Sequence, residues 1–175
     1  MVLTSLEVTS LNCSGLNDKF KRMLVFDFCK KSKCSIIFLQ ETKTNFKDEN
    51  RIRADWGSHG RIFINSSDKN SSCGGCILLI NNDQIVVENT VLTADGRCIV
   101  MDVVIDGCRF HVVNTYFPIE GKEKKPFIRS LYPLISSNFP IIWGGDFNLV
   151  VDPRMGVFHH ANLIFSSRKG QKAQN

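Results

Sequence analysis

The fold of this chain depends most on the stretch Ile141-Ile142-Trp143-Gly144-Gly145-Asp146-Phe147-Asn148. Its apolar start, bounded by Pro140 and two glycines, predicts a short buried strand. The glycines are expected to end that strand and to let the backbone turn sharply. If residues 146–148 stay extended, Asp146 and Asn148 share one face, where they could position a water molecule and a phosphate oxygen. The alternative is an Asx turn, in which both residues only hydrogen-bond the local backbone.

Length and composition indicate one globular domain. The chain has 175 residues, of which 43% are hydrophobic and 22% charged, and no apolar run is as long as a membrane span. Its start, Met1-Val2-Leu3-Thr4-Ser5, lacks the basic and apolar regions of a signal peptide. We therefore expect an intracellular protein, nuclear or cytoplasmic, with no membrane partner.

The net charge of +5 is unevenly distributed along the chain. Arg168, Lys169 and Lys172 lie near the end with no acidic residue close by, which leaves about +2 for the rest. This balance is a weak indication of a polyanionic partner, and the charge alone favours solvated surface lysines.

The seven cysteines are expected to be reduced thiols, because their number is odd and no signal peptide is present. Cys73 and Cys76 form a CxxC pair. A zinc site needs a second pair of ligands, and Cys98 with Cys108 is a poor candidate because these two residues straddle an apparent hairpin. The pattern favours a structural interpretation in which Gly74-Gly75 opens a strand.

Strand and helix signals alternate in the first part of the chain. Residues 3–12 read as a strand, Asn17 as the cap of a helix that runs to about Lys33, and residues 34–40 as a second buried strand. A strand–helix–strand connection of this length predicts a parallel pair. The buried stripe of the helix is expected to comprise Phe20, Met23, Leu24 and Phe28.

The middle of the chain is dominated by strand signals. Asp106-Gly107 is a strong signal for a two-residue hairpin between strands at 98–105 and 108–115. A basic, mobile-looking segment at 121–125 should precede a helix that runs to about Ser137. Other predicted elements are a helix at 46–56, strands at 61–65, 76–80, 84–92 and 141–143, and a polar loop at 65–72. The later helix should bury Phe127, Leu131, Leu134 and Ile135.

Four predicted strands end in a polar residue, namely Asn12, Glu41, Tyr116, and Asp146 with Asn148. Strands that do so at their carboxyl ends suggest a shared site along one rim of the sheets. Glu41 is a hard oxygen ligand of the kind Mg²⁺ prefers, and Asn12 could hold the metal or its carboxylate. The four endings together therefore suggest a metal site.

The remaining three residues suit phosphate chemistry. Asp146 could orient and deprotonate an attacking water molecule. Asn148 and Tyr116 could donate hydrogen bonds to a phosphate whose charge grows in the transition state. A metal ion would offset that charge and the charge on the leaving oxygen.

The ordered motifs resemble those of the endonuclease/exonuclease/phosphatase family, and most of all the apurinic-type endonuclease domain of L1-like LINE retrotransposons. The resemblance covers about residues 4–154 and implies an α/β (α+β) fold, a four-layered sandwich of two mixed β-sheets flanked by helices. The motifs are Leu11-Asn12-Cys13-Ser14-Gly15-Leu16, Leu39-Gln40-Glu41-Thr42, Gly74-Gly75-Cys76-Ile77-Leu78-Leu79, Asn114-Thr115-Tyr116-Phe117-Pro118 and Gly144-Gly145-Asp146-Phe147-Asn148.

The resemblance also implies an activity: hydrolysis of phosphodiesters that depends on Mg²⁺, with Mn²⁺ as a possible substitute. In the LINE branch this means nicking of duplex DNA. Matched motif by motif, Glu41 and Asn12 would serve the metal, Asp146 the water molecule, and Asn148 and Tyr116 the phosphate.

One family motif is absent. The family closes with a strand ending in Ser-Asp-His, and none of the four histidines (59, 111, 159 and 160) lies in such a motif. The pattern therefore suggests a truncated domain at 1–156, followed by a divergent, disordered basic tail at 157–175. The strands that are missing from it should include one that pairs beside residues 141–143.

The absent motif leaves the activity open, because removing one member of a catalytic set can cost most of the rate. The leading hypothesis is an endonuclease of LINE type with impaired activity. One alternative is a non-catalytic, retrotransposon-derived remnant. Another is a family phosphatase that acts on phosphoinositide or sphingolipid headgroups.

Overall fold

The computed structural model describes residues 6–66, 74–136 and 138–149, together with the backbone of 161–166. Its elements form two mixed β-sheets and three α-helices. In chain order they are β1 (Val8–Asn12), α1 (Lys19–Lys31), β2 (Ile36–Gln40), a 3₁₀ turn (Phe46–Asp48) leading into α2 (Glu49–Trp56), β3 (Arg61–Asn65), β4 (Cys76–Ile80), β5 (Val86–Leu92), β6 (Cys98–Ile105), β7 (Cys108–Tyr116), α3 (Gly121–Ile135), β8 (Ile141–Asp146) and β9 (Ala161–Ser166).

The first sheet has the strand order β1-β2-β4-β3. β1 and β2 are parallel, with Val8 opposite Ile36, and α1 makes the crossover between them. The parallel pair predicted from the strand–helix–strand pattern is therefore confirmed.

The second sheet has the order β5-β6-β7-β8-β9. β6 and β7 form the predicted hairpin, in which Asp106 and Gly107 have φ of 49° and 77°, as a two-residue turn of this kind requires. α3 then crosses over to β8, which runs parallel to β7. As a result, the carboxyl ends of β7 and β8 lie side by side.

Apolar side chains fill three interfaces and produce four layers. α1 and α2 cover one face of the first sheet, the other face packs on the second sheet, and α3 covers the far face of the second sheet. On β2 the alternation is clear, since Ile36 and Phe38 point between the sheets while Ile37 and Leu39 point to the helices. The predicted four-layered sandwich of two mixed sheets is confirmed.

The prediction for α1 was wrong in both its cap and its buried face. Asp18 caps the helix, its carboxylate accepting from the Lys21 N–H at 2.7 Å. The buried face consists of Arg22, Phe26 and Cys29. The four predicted core residues are exposed instead, namely Phe20, Met23, Leu24 and Phe28.

A buried ion pair explains this rotation of α1. The Arg22 guanidinium is fully buried, where its Nε donates to Asp55 at 2.8 Å and its Nη1 donates to the Leu16 carbonyl at 2.7 Å. Because α1 has large apolar residues on two faces, hydrophobic periodicity alone did not distinguish them. The partners of Arg22 on α2 and on the loop before α1 set the orientation.

α3 begins earlier than predicted. The basic segment 121–125 forms its first turn and is not a mobile connection. Phe127 and Leu131 are buried as predicted, and Leu134 and Ile135 pack partly buried against the same cluster.

β8 continues through both glycines to Asp146, so the glycines do not end the strand. A Cβ on Gly144 would lie 2.4 Å from the Phe38 ring, and one on Gly145 would lie 2.5 Å from Thr115 Oγ1. These glycines therefore allow close approach between the sheets and between β8 and β7, a role different from the sharp turn that the sequence suggested.

β9 corrects the expectation that the position beside β8 is vacant. Ala161–Ser166 pairs antiparallel with β8, with Ile141 opposite Ser166. This part of the chain is thus not a disordered tail. Residues 150–160 and 167–175 lie outside the described residues, and the division at 156/157 stays a prediction.

Two further predictions concern residues that the structure describes only in part. Most of the predicted polar loop at 65–72 lies outside the described residues, whereas Asn65 and Ser66 themselves are buried. Cys73 of the CxxC pair also lies outside the described residues. Across the described ranges, no helix is long and apolar enough to cross a membrane.

Candidate active site

A hydrogen bond between the two sheets lies at the centre of the site. Asn12 ends β1 in the first sheet and Asp146 ends β8 in the second, and Asn12 Nδ2 donates to Asp146 Oδ2 at 2.6 Å. Asp146 is only 1% exposed. The two strand ends therefore form one site, as the sequence predicted from their shared position.

The second oxygen of Asp146 is held by its own loop. Asp146 Oδ1 accepts from the Asn148 N–H at 2.9 Å, and Asn148 has φ of 47°. Residues 146–148 are thus not extended, and the Asx turn considered as the alternative is present. Asp146 nevertheless reaches beyond the local backbone, because its other oxygen contacts Asn12.

Tyr116 links the remaining residues. Burial raises the pKa of its hydroxyl, the carboxylates of Glu41 and Asp146 raise it further, and a hydrogen bond with the Asn148 side chain opposes this effect. Glu41 lies on the same rim, because Gln40, the residue before it, pairs with Asn12 at the ends of the parallel strands β2 and β1, and Asn12 contacts Asp146. A tyrosine hydroxyl is already protonated at neutral pH, and the raised pKa extends to higher pH the range over which Tyr116 can donate.

Glu41 follows β2 directly and adopts φ of 52°. Its Oε1 lies 2.8 Å from Lys43 Nζ. The structure thus brings all five residues predicted from the sequence to one rim, namely Asn12, Glu41, Tyr116, Asp146 and Asn148. Their metal-binding and catalytic roles remain predictions.

Sequence reasoning missed three cations at this rim. The Arg97 guanidinium lies 5.2 Å from the centre of the Tyr116 ring, Lys43 pairs with Glu41, and Lys124 Nζ donates to the Asn148 carbonyl. Lys43 lies in the loop after β2, Arg97 in the loop between β5 and β6, and Lys124 in α3. Because they are far apart in the sequence, no local motif could have revealed them. Together they offset the negative charge of the two carboxylates on this rim, Glu41 and Asp146.

A buried polar network beneath the site was also missed. Gln40 Nε2 donates to Asn114 Oδ1 at 2.8 Å, and Asn114 Nδ2 donates to the carbonyls of Leu39 and Ile77. Gln40 and Asn114 are fully buried on opposite sheets. A polar residue inside an otherwise apolar strand was the signal that could have identified them. Because its groups are satisfied, the network joins the sheets in one register.

The donor set fits a magnesium ion. Glu41 offers a carboxylate and Asn12 an amide oxygen, and Mg²⁺ typically uses one or two carboxylates while keeping several waters. Among the described residues, no three His, Cys, Asp or Glu side chains cluster as metal ligands. This composition suits a metal held mostly by water and substrate, and a closed protein cage is not formed by these residues.

The described histidines lie away from this chemistry. His111 is buried within β7, five residues before Tyr116, and its Nδ1 lies 2.7 Å from Asp102. The ring of His59 packs 5.5 Å from that of Trp56. His159 and His160 lie outside the described residues.

Comparison with known proteins adds relatives in sequence and in structure. No protein-family model matches the chain. Over 153 residues, or 86% of its length, the chain is 31% identical to the Transposon TX1 uncharacterized 149 kDa protein of Xenopus laevis, of which it spans 12%.

Solved structures share the fold. An AP endonuclease from Archaeoglobus fulgidus matches with a TM-score of 0.65 at 20% identity, over 85% of this chain and 60% of that one. TDP2 of D. rerio, complexed with a single strand DNA product, matches with a TM-score of 0.60 at 14% identity, over 83% of this chain and 61% of that one.

The chain has the endonuclease/exonuclease/phosphatase fold, as its ordered motifs suggested. Within that class it is a homologue of a transposon protein, and it corresponds to a small part of that relative's length.

Proposed function

We propose that the chain is a Mg²⁺-dependent DNA endonuclease domain of the LINE retrotransposon type, which nicks duplex DNA by hydrolysing a phosphodiester. The observation that carries the proposal is the 2.6 Å bond between Asn12 and Asp146 from opposite sheets, with Tyr116, Asn148 and Glu41 around it. Homology to a transposon protein supports it.

Asp146 is prepared to act on water. Its two oxygens accept from the Asn12 amide and from the Asn148 N–H, so the carboxylate has a fixed orientation before substrate arrives. In this role Asp146 orients the attacking water and takes its proton as the new P–O bond forms and the P–O bond to the leaving oxygen breaks.

Tyr116 and the neighbouring cations suit the phosphate. The Tyr116 hydroxyl is protonated at neutral pH and can donate to a phosphate oxygen, and the Arg97 guanidinium lies 5.2 Å from the centre of its ring. Lys124 fixes the Asn148 loop through the Asn148 carbonyl. Donors that are already in place stabilise the charge that develops on the phosphate oxygens without reorganising during the reaction.

Glu41 and Asn12 would hold the Mg²⁺ ion. The bound ion supplies positive charge that offsets the charge on the phosphate and on the leaving oxygen. Asn12 thus connects the metal side of the site with Asp146 on the water side.

DNA is the proposed partner for two reasons. The rim carries Lys43, Arg97 and Lys124 close to the candidate catalytic groups. One similar structure is an AP endonuclease and another holds a single strand DNA product. Phosphate contacts of this kind bind the nucleic acid backbone without reading its sequence.

The 175 residues contain no Ser-Asp-His motif. We therefore propose that this stretch of chain by itself nicks DNA more slowly than a family member that carries the motif, because losing one member of a cooperating set lowers the rate.

A nicking assay tests the proposal. Supercoiled plasmid incubated with the chain and Mg²⁺ should convert slowly to open circles, and Asp146→Asn should reduce that rate by about 10²-fold or more. Asp102→Asn is the matched control, because Asp102 pairs with His111 far from the site and its loss should leave nicking unchanged. Equal rates for Asp146→Asn and the unaltered chain would refute the role of Asp146. Release of phosphate or headgroup from phosphoinositide or sphingolipid, without nicking, would favour the lipid alternative.

A further inference from the structure

The Glu41 carboxylate already has a cation beside it. Lys43 Nζ lies 2.8 Å from Glu41 Oε1, with the Lys43 side chain 34% exposed and that of Glu41 16% exposed. An ion pair with this little exposure is less weakened by solvent than the pair Lys31–Asp27, whose side chains are 76% and 56% exposed.

The position of Lys43 is built by several parts of the chain. Its N–H donates to the Gly74 carbonyl at 3.0 Å, and its own carbonyl accepts from Asn17 Nδ2 at 2.7 Å. The lysine stem also lies next to Gly15, where an added Cβ would be 3.4 Å from Lys43 Cδ, an ordinary van der Waals distance.

The backbone at this ion pair also takes an uncommon conformation. Both Glu41 and Lys43 have φ of 52°, in the left-handed region that residues with a Cβ adopt at a cost. Such strain persists only where the surrounding structure imposes it, and it is concentrated at functional sites. The pairing of these two side chains is therefore a product of the fold.

We propose that Lys43 is an internal counter-ion of Glu41 that competes with the divalent cation for the carboxylate and so keeps metal affinity low. This inference rests on the proposed function, because it takes Glu41 as the metal ligand. An ammonium group and a metal ion both bind carboxylate oxygens, and two cations beside one carboxylate repel each other. Lys43 in this way orients Glu41 when no metal is bound, and it gives up its ion pair with Glu41 when the metal ion binds together with the substrate.

Calorimetric titration with Mn²⁺ and with Mg²⁺, without DNA, tests this role. Lys43→Met removes the charge but keeps a long side chain, and it should bind the metal on the order of tenfold more tightly than the unaltered chain. Lys43→Arg keeps the charge and should bind with nearly unchanged affinity. Lys31→Met is the matched control, because it removes a lysine that pairs with Asp27 at 2.7 Å on α1. Its affinity should equal that of the unaltered chain.

A double variant tests whether the gain in metal affinity depends on the Glu41 carboxylate. In Lys43→Met, the additional change Glu41→Gln should abolish the gain in affinity. Thermal transitions of all variants confirm that each one is folded.

Several results would overturn the inference. Metal affinity in Lys43→Met that is equal to or weaker than that of the unaltered chain excludes competition, and so does a gain that survives Glu41→Gln. If neither the unaltered chain nor Lys43→Met binds metal, then Glu41 is not a metal ligand and the inference fails with that assignment. If the affinities follow the expected pattern but no nicking is seen, the proposed endonuclease function fails while the inference about Lys43 holds.

Discussion

Tyr116 combines a buried ring with a hydroxyl group at the rim of the site. Tyr116→Phe should reduce the nicking rate by about 10²-fold, because it removes one donor to the phosphate. The ring and its contact with Arg97 remain, so the free energy of unfolding should change by only about 1 kcal/mol. The measurement is nicking of supercoiled plasmid together with urea unfolding.

Tyr132→Phe is the control for Tyr116→Phe, since the Tyr132 side chain is exposed on α3. Nicking by this variant should equal that of the unaltered chain. A similar loss in both variants would show that the effect does not come from the site.

Non-glycine residues with a left-handed backbone conformation are concentrated in the loops at the rim of the candidate site. Among the described non-glycine residues with positive φ, one belongs to the β6–β7 hairpin and the other four lie in the loops around the site. Because such conformations are costly, their grouping supports a functional role for this rim. These four residues are Ser14, Glu41, Lys43 and Asn148.

At the scale of elements, Gly144 controls how closely β8 approaches the first sheet. Gly144→Ala should lower the free energy of unfolding by roughly 1–3 kcal/mol, because the new Cβ would lie 2.4 Å from the Phe38 ring. Gly121→Ala is the matched control. A Cβ at Gly121 meets nothing within 4 Å, so its effect should stay within about 0.5 kcal/mol.

A double variant identifies the cause of the Gly144 effect. Phe38→Leu combined with Gly144→Ala should recover part of the loss, since the smaller side chain leaves space for the added methyl group. Purely additive energies in the double-mutant cycle would contradict a direct contact between these two positions.

α1 offers a test of which helix face is buried. Leu24→Lys should change the free energy of unfolding by no more than about 0.5 kcal/mol, because Leu24 is exposed. Phe26→Ala should cost about 3–5 kcal/mol, because Phe26 is fully buried against Trp56. Urea unfolding measures both, and a large loss for Leu24→Lys would mean that this face of α1 is covered.

At the scale of the whole molecule, buried thiols make stability depend on alkaline pH. Burial raises the pKa of Cys13 and of Cys29 from the ordinary value of 9.0 to about 12, and burial also raises the pKa of Cys76 and of Cys98. A raised pKa contributes stability that is fully present below the ordinary value. That contribution is lost as the pH rises towards the pKa of the folded state.

The free energy of unfolding should therefore be constant from pH 7 to 8 and should fall as the pH rises from 9 towards 12. Urea titrations at several pH values measure this slope. The variant Cys13→Ala with Cys29→Ala should have a smaller slope, although it is less stable at neutral pH. Cys108→Ala should leave the slope unchanged, because Cys108 is exposed; a slope that is the same in all variants would exclude the buried thiols as its cause.

Much of the architecture followed from short-range patterns. The hairpin at Asp106-Gly107 was predicted because a two-residue turn with positive φ selects these residue types. The parallel pair of β1 and β2 was predicted because a helix of that length must cross over. The candidate site followed from polar residues at strand ends, although its cations did not.

By itself, the sequence determined the alternation of strands and helices up to β8, the turn at Asp106-Gly107 and the five polar residues at strand ends, because these depend on neighbours within a few positions. Only the tertiary structure decided which face of α1 is buried, since the buried Arg22 needs Asp55 from a different helix. It likewise decided that Lys43 and Arg97 join the rim. Contacts between segments far apart in the chain set these features, and a local pattern carries no record of such distant partners.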